Sequence, residues 1–297
     1  MVLPNTVLIG PGRTGTTSIF RVLCTHPEIC GSKQKEADRY RAVIFKRALL
    51  PIELYAQQFS HYSSEQIILE ATPGYFFGGR DVAKVMRREL NGLRVIVTLR
   101  NPVERLYSLY KHVKSKLDFE SEDSFEQYVR KCLGFKISDS LDEIAIQYAG
   151  FWEGVYIKWL REWIEELGSE NVYVMFYEDW ESFPQQSLCE LVVWLGIDAQ
   201  PLEAIEFPHD NKSLGYRSLA FQKAALRMNV CLESVFRRHP SVKKTARNIY
   251  YYLNGKHYHS DILPSLRNKL TAVYLEPNAE LKKYLVNLGH KSFPDWL

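Results

Sequence analysis

The chain has 297 residues, 46% hydrophobic and 25% charged, with a net charge of +3, the balance of a globular protein with a sizeable core. So mild a charge suits a small anionic ligand and argues against nucleic-acid binding through bulk charge. No apolar run approaches the roughly 18 residues of a membrane span.

The five cysteines, Cys24, Cys30, Cys132, Cys189 and Cys231, are scattered and form no C-x-x-C pair. That pattern argues against a disulfide framework or a zinc site and fits a reducing compartment. No basic n-region, h-region or cleavage site opens the chain. The expectation is a cytoplasmic protein with no membrane or nucleic-acid partner. No repeat or linker divides the sequence, so one domain over 1–297 is expected.

In chain order, "NTVLIG" (5–10) reads as a buried strand and "TTSIFRVLCTH" (16–26) as a helix stopped by Pro27. "LRVIVTLR" (93–100) is a second buried strand, followed by a helix from Asn101, a natural N-cap, and Pro102, a natural first residue. The stretch 151–167 sets Tyr156, Trp159, Leu160, Trp163 and Leu167 at helical spacing, the pattern of a core-facing stripe. "NVYVMFYED" (171–179) reads as a third strand, 240–262 as an irregular Tyr-, Lys- and His-rich segment, and the C-terminal third as mostly helical. Buried strands alternating with helices predict an α/β protein with a central, mostly parallel sheet flanked by helices in three layers.

The chemistry gathers between the first strand and helix. "GPGRTGTTS" (10–18) has Gly10 and Gly15 at Walker spacing, but Thr16 stands where the Walker lysine belongs. A magnesium-dependent kinase or NTPase would lack a central part. The loop remains a recipe for an anion site. Gly12 and Gly15 permit close approach, helix amides point outward, Thr14, Thr16, Thr17 and Ser18 add hydroxyls, and Arg13 adds charge. Arg100 falls at the carboxyl end of the second strand, where ligands of open α/β sheets bind, and Ser108 lies two turns into the next helix.

"PGRTGTT" (11–17) and "RNPVERLYS" (100–108) together resemble the two phosphate motifs of sulfotransferases that use 3′-phosphoadenosine 5′-phosphosulfate (PAPS). "FYEDW" (176–180), "HPEICGSKQKEADRY" (26–40), "LEATPGYFF" (69–77) and "NKSLGYRSL" (211–219) are similar to further segments of that family, most of them from its heparan-type carbohydrate branch. The ending, from "YLEPNAELKKYL" onward, resembles that branch's C-terminal helix pair.

The resemblance implies a P-loop-like fold and a PAPS site needing no metal. Gly12 to Ser18 would take the 5′-phosphosulfate, Arg100 and Ser108 the 3′-phosphate, Tyr177 the neighbourhood of the adenine, and Arg217, with Lys212 behind it, a further phosphate. It implies Glu36 as the base, with His112 the second candidate, and Glu70, Thr72 and Tyr75 as acceptor-pocket residues. His26, in the helix stop, reads as structural. The family's usual loop lysine is Arg13 here, able to stabilise charge but a poor proton donor.

The implied reaction is sulfuryl transfer from PAPS to a hydroxyl of a small molecule or sugar, releasing PAP. The heparan-type branch is usually tethered by a membrane stalk; none is visible here, which favours a soluble enzyme acting on a natural product or a glycolipid-like acceptor. A P-loop kinase and a non-catalytic PAP-binding module are the alternatives. The basic run 237–247 and the tyrosines after it mark a candidate substrate mouth, or simply a solvated face. Oligomeric state is not readable from the sequence.

Overall fold

The computed structural model describes residues 1–117, 124–137, 145–202, 205, 215–232, 236, 240–256 and 261–297. Five parallel strands form the central sheet: β1 (Thr6–Ile9), β2 (Ile29–Gly31), β3 (Ile67–Ala71), β4 (Arg94–Leu99) and β5 (Val172–Phe176), in the order β2-β3-β1-β4-β5. Their runs are short, β-branched and buried, as strands covered on both faces must be.

Alternation along the strands builds two cores. Val7, Ile9, Val95, Val97 and Val174 face helices α2 (Gly79–Glu89) and α5 (Tyr156–Leu167). Leu8, Leu69, Ile96 and Met175 face α1 (Thr16–Leu23) and α6 (Pro184–Leu195). The stripe on α5 packs as its spacing predicts, with Trp163 fully buried and its indole N–H donating to the Phe76 carbonyl at 3.0 Å. A third cluster joins α3 (Pro102–Lys116), α4 (Phe125–Gly134) and α9 (Pro264–Asn287) through Leu106, Tyr110, Tyr128, Leu270 and Tyr274. The expected three-layer α/β architecture is what the chain adopts.

Three expectations are corrected. The third strand stops at Phe176, and Tyr177–Ser182 turns helical, because Trp180 buries against α6 and the sheet. The segment 240–262 is not irregular throughout: α8 (Pro240–Asn254) follows α7 (Leu219–Cys231), with a short antiparallel ladder of β6 (Gly215–Tyr216) and β7 (Gly255–Lys256) at their base. The expected C-terminal helix pair is one helix, α9, with Pro277 inside it.

The register aligns Leu8 with Ala71, Ile9 with Val97, and Leu99 with Phe176. The segments after β1, β3, β4 and β5 therefore leave the sheet along one edge. Between β3 and β4, beside β1, the chain switches direction of travel across the sheet, which is where such sheets bind ligands.

Candidate active site

The loop between β1 and α1 is shaped by two crowded glycines. Gly10, at φ 149°, lies where a Cβ would meet the Thr98 hydroxyl at 2.5 Å. Gly15, at φ 84°, caps α1 and would press a Cβ against the Tyr177 ring at 2.9 Å. Gly12 is the opposite case: a Cβ there meets nothing within 4 Å. The chain turns open space, not packing, toward this glycine.

Arg13, itself in a left-handed conformation at φ 79°, donates from Nε to the Ser108 hydroxyl at 3.1 Å. Arg100 donates from Nη1 to the Arg13 carbonyl at 3.2 Å, and its guanidinium lies 4.1 Å from the centre of the Tyr177 ring. Burial, then the neighbouring Arg100 charge, lower the pKa of Arg13, with Tyr177 acting the other way. Two guanidiniums held this close at a helix N-terminus make a strongly anion-seeking site.

Buried groups that the sequence did not single out fix this geometry. Arg105 is fully buried and donates to the Gly12 carbonyl at 3.4 Å and to Glu153 at 3.0 Å. Tyr156 donates to the Arg100 carbonyl at 2.6 Å, and Glu178 accepts from the Asn101 amide at 2.8 Å. A buried Arg in an ordinary helical pattern carries no sequence signal; it is fixed by what folds around it. Thr14 is also buried, its hydroxyl donating to the Pro11 carbonyl at 2.9 Å and paired with Thr98 at 2.6 Å. Its side chain holds the loop, leaving its backbone for any ligand. Thr16 is nearly buried, and Thr17 and Ser18 are half-buried in the first turn of α1.

Glu36 comes to the same edge on a strap over residues 33–40. Its amide donates to the Ala71 carbonyl at the end of β3 at 3.0 Å, and its exposed carboxylate pairs with Lys35 at 2.8 Å. His112, one turn beyond Ser108 on α3, has its pKa held down at about 4, by burial first and then by Lys116 and Arg13, with Glu36 acting in the opposite sense. Arg13, Glu36 and His112 thus share one electrostatic neighbourhood, and His112 is neutral at pH 7.

Glu70, Thr72 and Tyr75 are placed otherwise. All three are buried beneath the strap. Thr72 donates to Glu70 and accepts from the Asp38 amide at 3.4 Å, while the Tyr75 hydroxyl accepts from the Tyr40 amide at 3.3 Å. Burial pushes the Glu70 pKa up to about 8, against hydrogen bonds from Thr72 and the Ala37 amide. In this structure these residues anchor the strap from below.

Arg217 sits exposed on the β6–β7 ladder, its amide bonded to the Asn254 carbonyl at 2.9 Å; Lys212 lies outside the described residues. His26 is buried, accepting from the Glu28 amide at 3.1 Å through Nδ1 and meeting the Asp198 carbonyl at 2.7 Å through Nε2. It has the structural role its setting suggested.

A parallel sheet with an anion loop at its switch point defines a P-loop-like α/β protein. Residues 3–213 match the model of the sulfotransferase domain, and the chain belongs to that family. Among curated proteins it is 22% identical to the bifunctional heparan sulfate N-deacetylase/N-sulfotransferase 1 of Caenorhabditis briggsae, over 99% of this chain and 31% of that protein. It therefore spans about a third of that relative's length. It is 24% identical to human heparan sulfate glucosamine 3-O-sulfotransferase 3B1, over 86% of this chain and 63% of that one. Among solved structures, a sulfotransferase from Alicyclobacillus acidocaldarius superposes with a TM-score of 0.67 at 19% identity, covering 100% of this chain and 99% of that chain. That likeness establishes the fold. No described helix is long and apolar enough to cross a membrane.

Proposed function

We propose that this protein transfers a sulfuryl group from PAPS to a hydroxyl of a small-molecule or saccharide acceptor, releasing PAP. The observation that carries the reading is the junction of Arg13 with Ser108 at 3.1 Å, backed by Arg100 on the Tyr177 ring. It joins the loop that would hold the 5′-phosphosulfate to the helix that would hold the 3′-phosphate. The open space at Gly12 fits a bulky anion. Thr16 in the Walker lysine position weighs against a nucleoside triphosphate with magnesium. Relatives named for sulfating heparan glucosamine support a sugar-like acceptor. The five free thiols support a reducing, cytoplasmic setting.

PAPS supplies an activated sulfur whose bond to the bridging phosphate oxygen breaks as the acceptor oxygen attacks in line. Arg13 and the first amides of α1 stabilise charge growing on that oxygen, and Ser108 holds the Arg13 fork in place. Arg100 positions the adenosine end, with Tyr177 beneath its guanidinium. The Glu36 carboxylate takes the acceptor proton, and neutral His112 lies in the same field to accept a hydrogen bond or, failing Glu36, the proton.

Calorimetric titration with PAP in EDTA, and separately with ATP and magnesium, tests this reading. Tight PAP binding without metal is expected. Preference for magnesium-ATP would overturn it in favour of a kinase. PAP binding without turnover on a broad acceptor panel would leave a binding module.

A further inference from the structure

Helices α7 and α8 stand on the β6–β7 ladder and are largely exposed along their lengths. They leave Phe221, Met228, Val230, Ile249, Tyr252 and Leu253 in solvent, Val230 at 72% and Tyr252 at 84% exposure. Large apolar side chains left in solvent along two helices that meet through the stacked Phe221 and Tyr250 rings are what an interaction surface exposes. Neither helix contains an Asp or Glu. Across 215–256 the sequence has nine Lys and Arg against the single Glu233, in a chain whose total charge is only +3. The rest of the chain is therefore net negative, and the positive charge is concentrated here.

The pair is rooted beside the active site. The Gln222 amide donates to the Ser115 carbonyl at 2.5 Å, near the end of the helix that carries Ser108 and His112. The Tyr250 hydroxyl donates to Gln222, and the Asn254 amide reaches back to the Tyr250 hydroxyl at 3.1 Å and the Ser218 carbonyl at 3.2 Å. Gln222 and Asn254 are buried at this root while the flanks stay open.

We propose that the α7–α8 face docks this protein peripherally on a lipid surface bearing anionic headgroups. Lys223, Arg227, Lys243 and Arg247, all exposed, meet the headgroups while the aliphatic and aromatic tips enter the interface. A soluble polyanion would use the cations and leave the apolar side chains wet. A second copy of the face would set cation against cation. The complementarity is to a surface that is both anionic and apolar. This revises the expectation of no membrane partner, for contact and not for spanning. Docking stands without the proposed chemistry; only its consequence, an acceptor presented from the lipid surface, rests on that reading.

The test is flotation of the full chain with phosphatidylcholine vesicles and with vesicles containing about 30 mol% phosphatidylglycerol. Parallel PAP titrations report on the anion loop. At least about tenfold stronger binding to the anionic vesicles is expected, weakened by salt. A comparable loss is expected in Lys243→Glu/Arg247→Glu and in Phe221→Ser/Tyr252→Ser, with PAP affinity unchanged in both. No binding to anionic vesicles, or equal binding by both double variants, overturns the proposal. So does capture by heparin alone, or a concentration-dependent dimer that does not bind vesicles. Loss of PAP binding with vesicle binding intact would instead overturn the proposed function and leave the docking face standing.

Discussion

Arg13 occupies a left-handed backbone conformation at φ 79°, and in a non-glycine residue that strain costs of order 1–3 kcal/mol. It is held there by the Ser108 hydroxyl, the Arg100 contact to its carbonyl and the crowded glycine on its C-terminal side. Arg100 is braced as firmly, from Tyr156 and Tyr177. Arg100→Ala should weaken PAP binding by about 10- to 100-fold, the worth of one charge-assisted hydrogen bond; calorimetry reads this directly, and unchanged affinity would remove Arg100 from the site. Glu36→Gln should cut turnover at least about 100-fold with PAP affinity nearly intact, the size of a lost general base. His112→Gln should cost less. Single-turnover assays compare the two, and the reverse ranking would move the proton to His112.

At the scale of the element, the strap over residues 33–40 is the unusual piece. Glu36 and Asp38 both have positive φ, 65° and 63°, and the strap is pinned from below by Glu70, Thr72 and Tyr75 and at its end by Arg39 on Glu89. The Glu70 carboxyl, raised from 4.5 to about 8, stays protonated in the folded protein at pH 7 while it ionises in the unfolded chain. The unfolded state then binds fewer protons, so stability falls as pH rises from about 4.5 to about 8 and levels off above. Glu70→Gln should flatten that fall and gain on the wild type toward pH 8. Urea midpoints across this pH range check it, and parallel curves for the two proteins would refute it.

For the whole molecule, the two cores on the sheet are what hold the site's four segments in register. Trp163, at the centre of the core beneath α2 and α5, is fully buried and hydrogen-bonded to the Phe76 carbonyl. Trp163→Ala should destabilise the protein by about 3–5 kcal/mol, through lost burial plus a cavity. A denaturant melt measures it, and a loss below about 1 kcal/mol would mean the core collapses to fill the gap. The electrostatic asymmetry is also a property of the whole: in a chain of net charge +3, the stretch 215–256 carries nine Lys and Arg against one Glu, and its described Lys223, Arg227, Lys243 and Arg247 are exposed on α7 and α8.

By itself the sequence determined three of the strands that border the candidate site, β1, β4 and β5, but not β2 or β3, together with the core stripe on α5, the loop that lacks a Walker lysine, and the family. These rest on local pattern: β-branched runs, helical periodicity, and glycines where only glycine fits between Thr98 and Tyr177. Tertiary structure alone decided the rest. It joined Arg13 to Ser108 across 95 positions of chain and buried Arg105 under Gly12. It turned the Thr14 hydroxyl inward and put Glu70, Thr72 and Tyr75 below the strap, where similarity of motif had suggested an acceptor pocket. It also made a helix of the tyrosine-rich segment and left it exposed. Which way a polar side chain faces depends on distant groups that pack against it, and that information is not carried by neighbours along the chain.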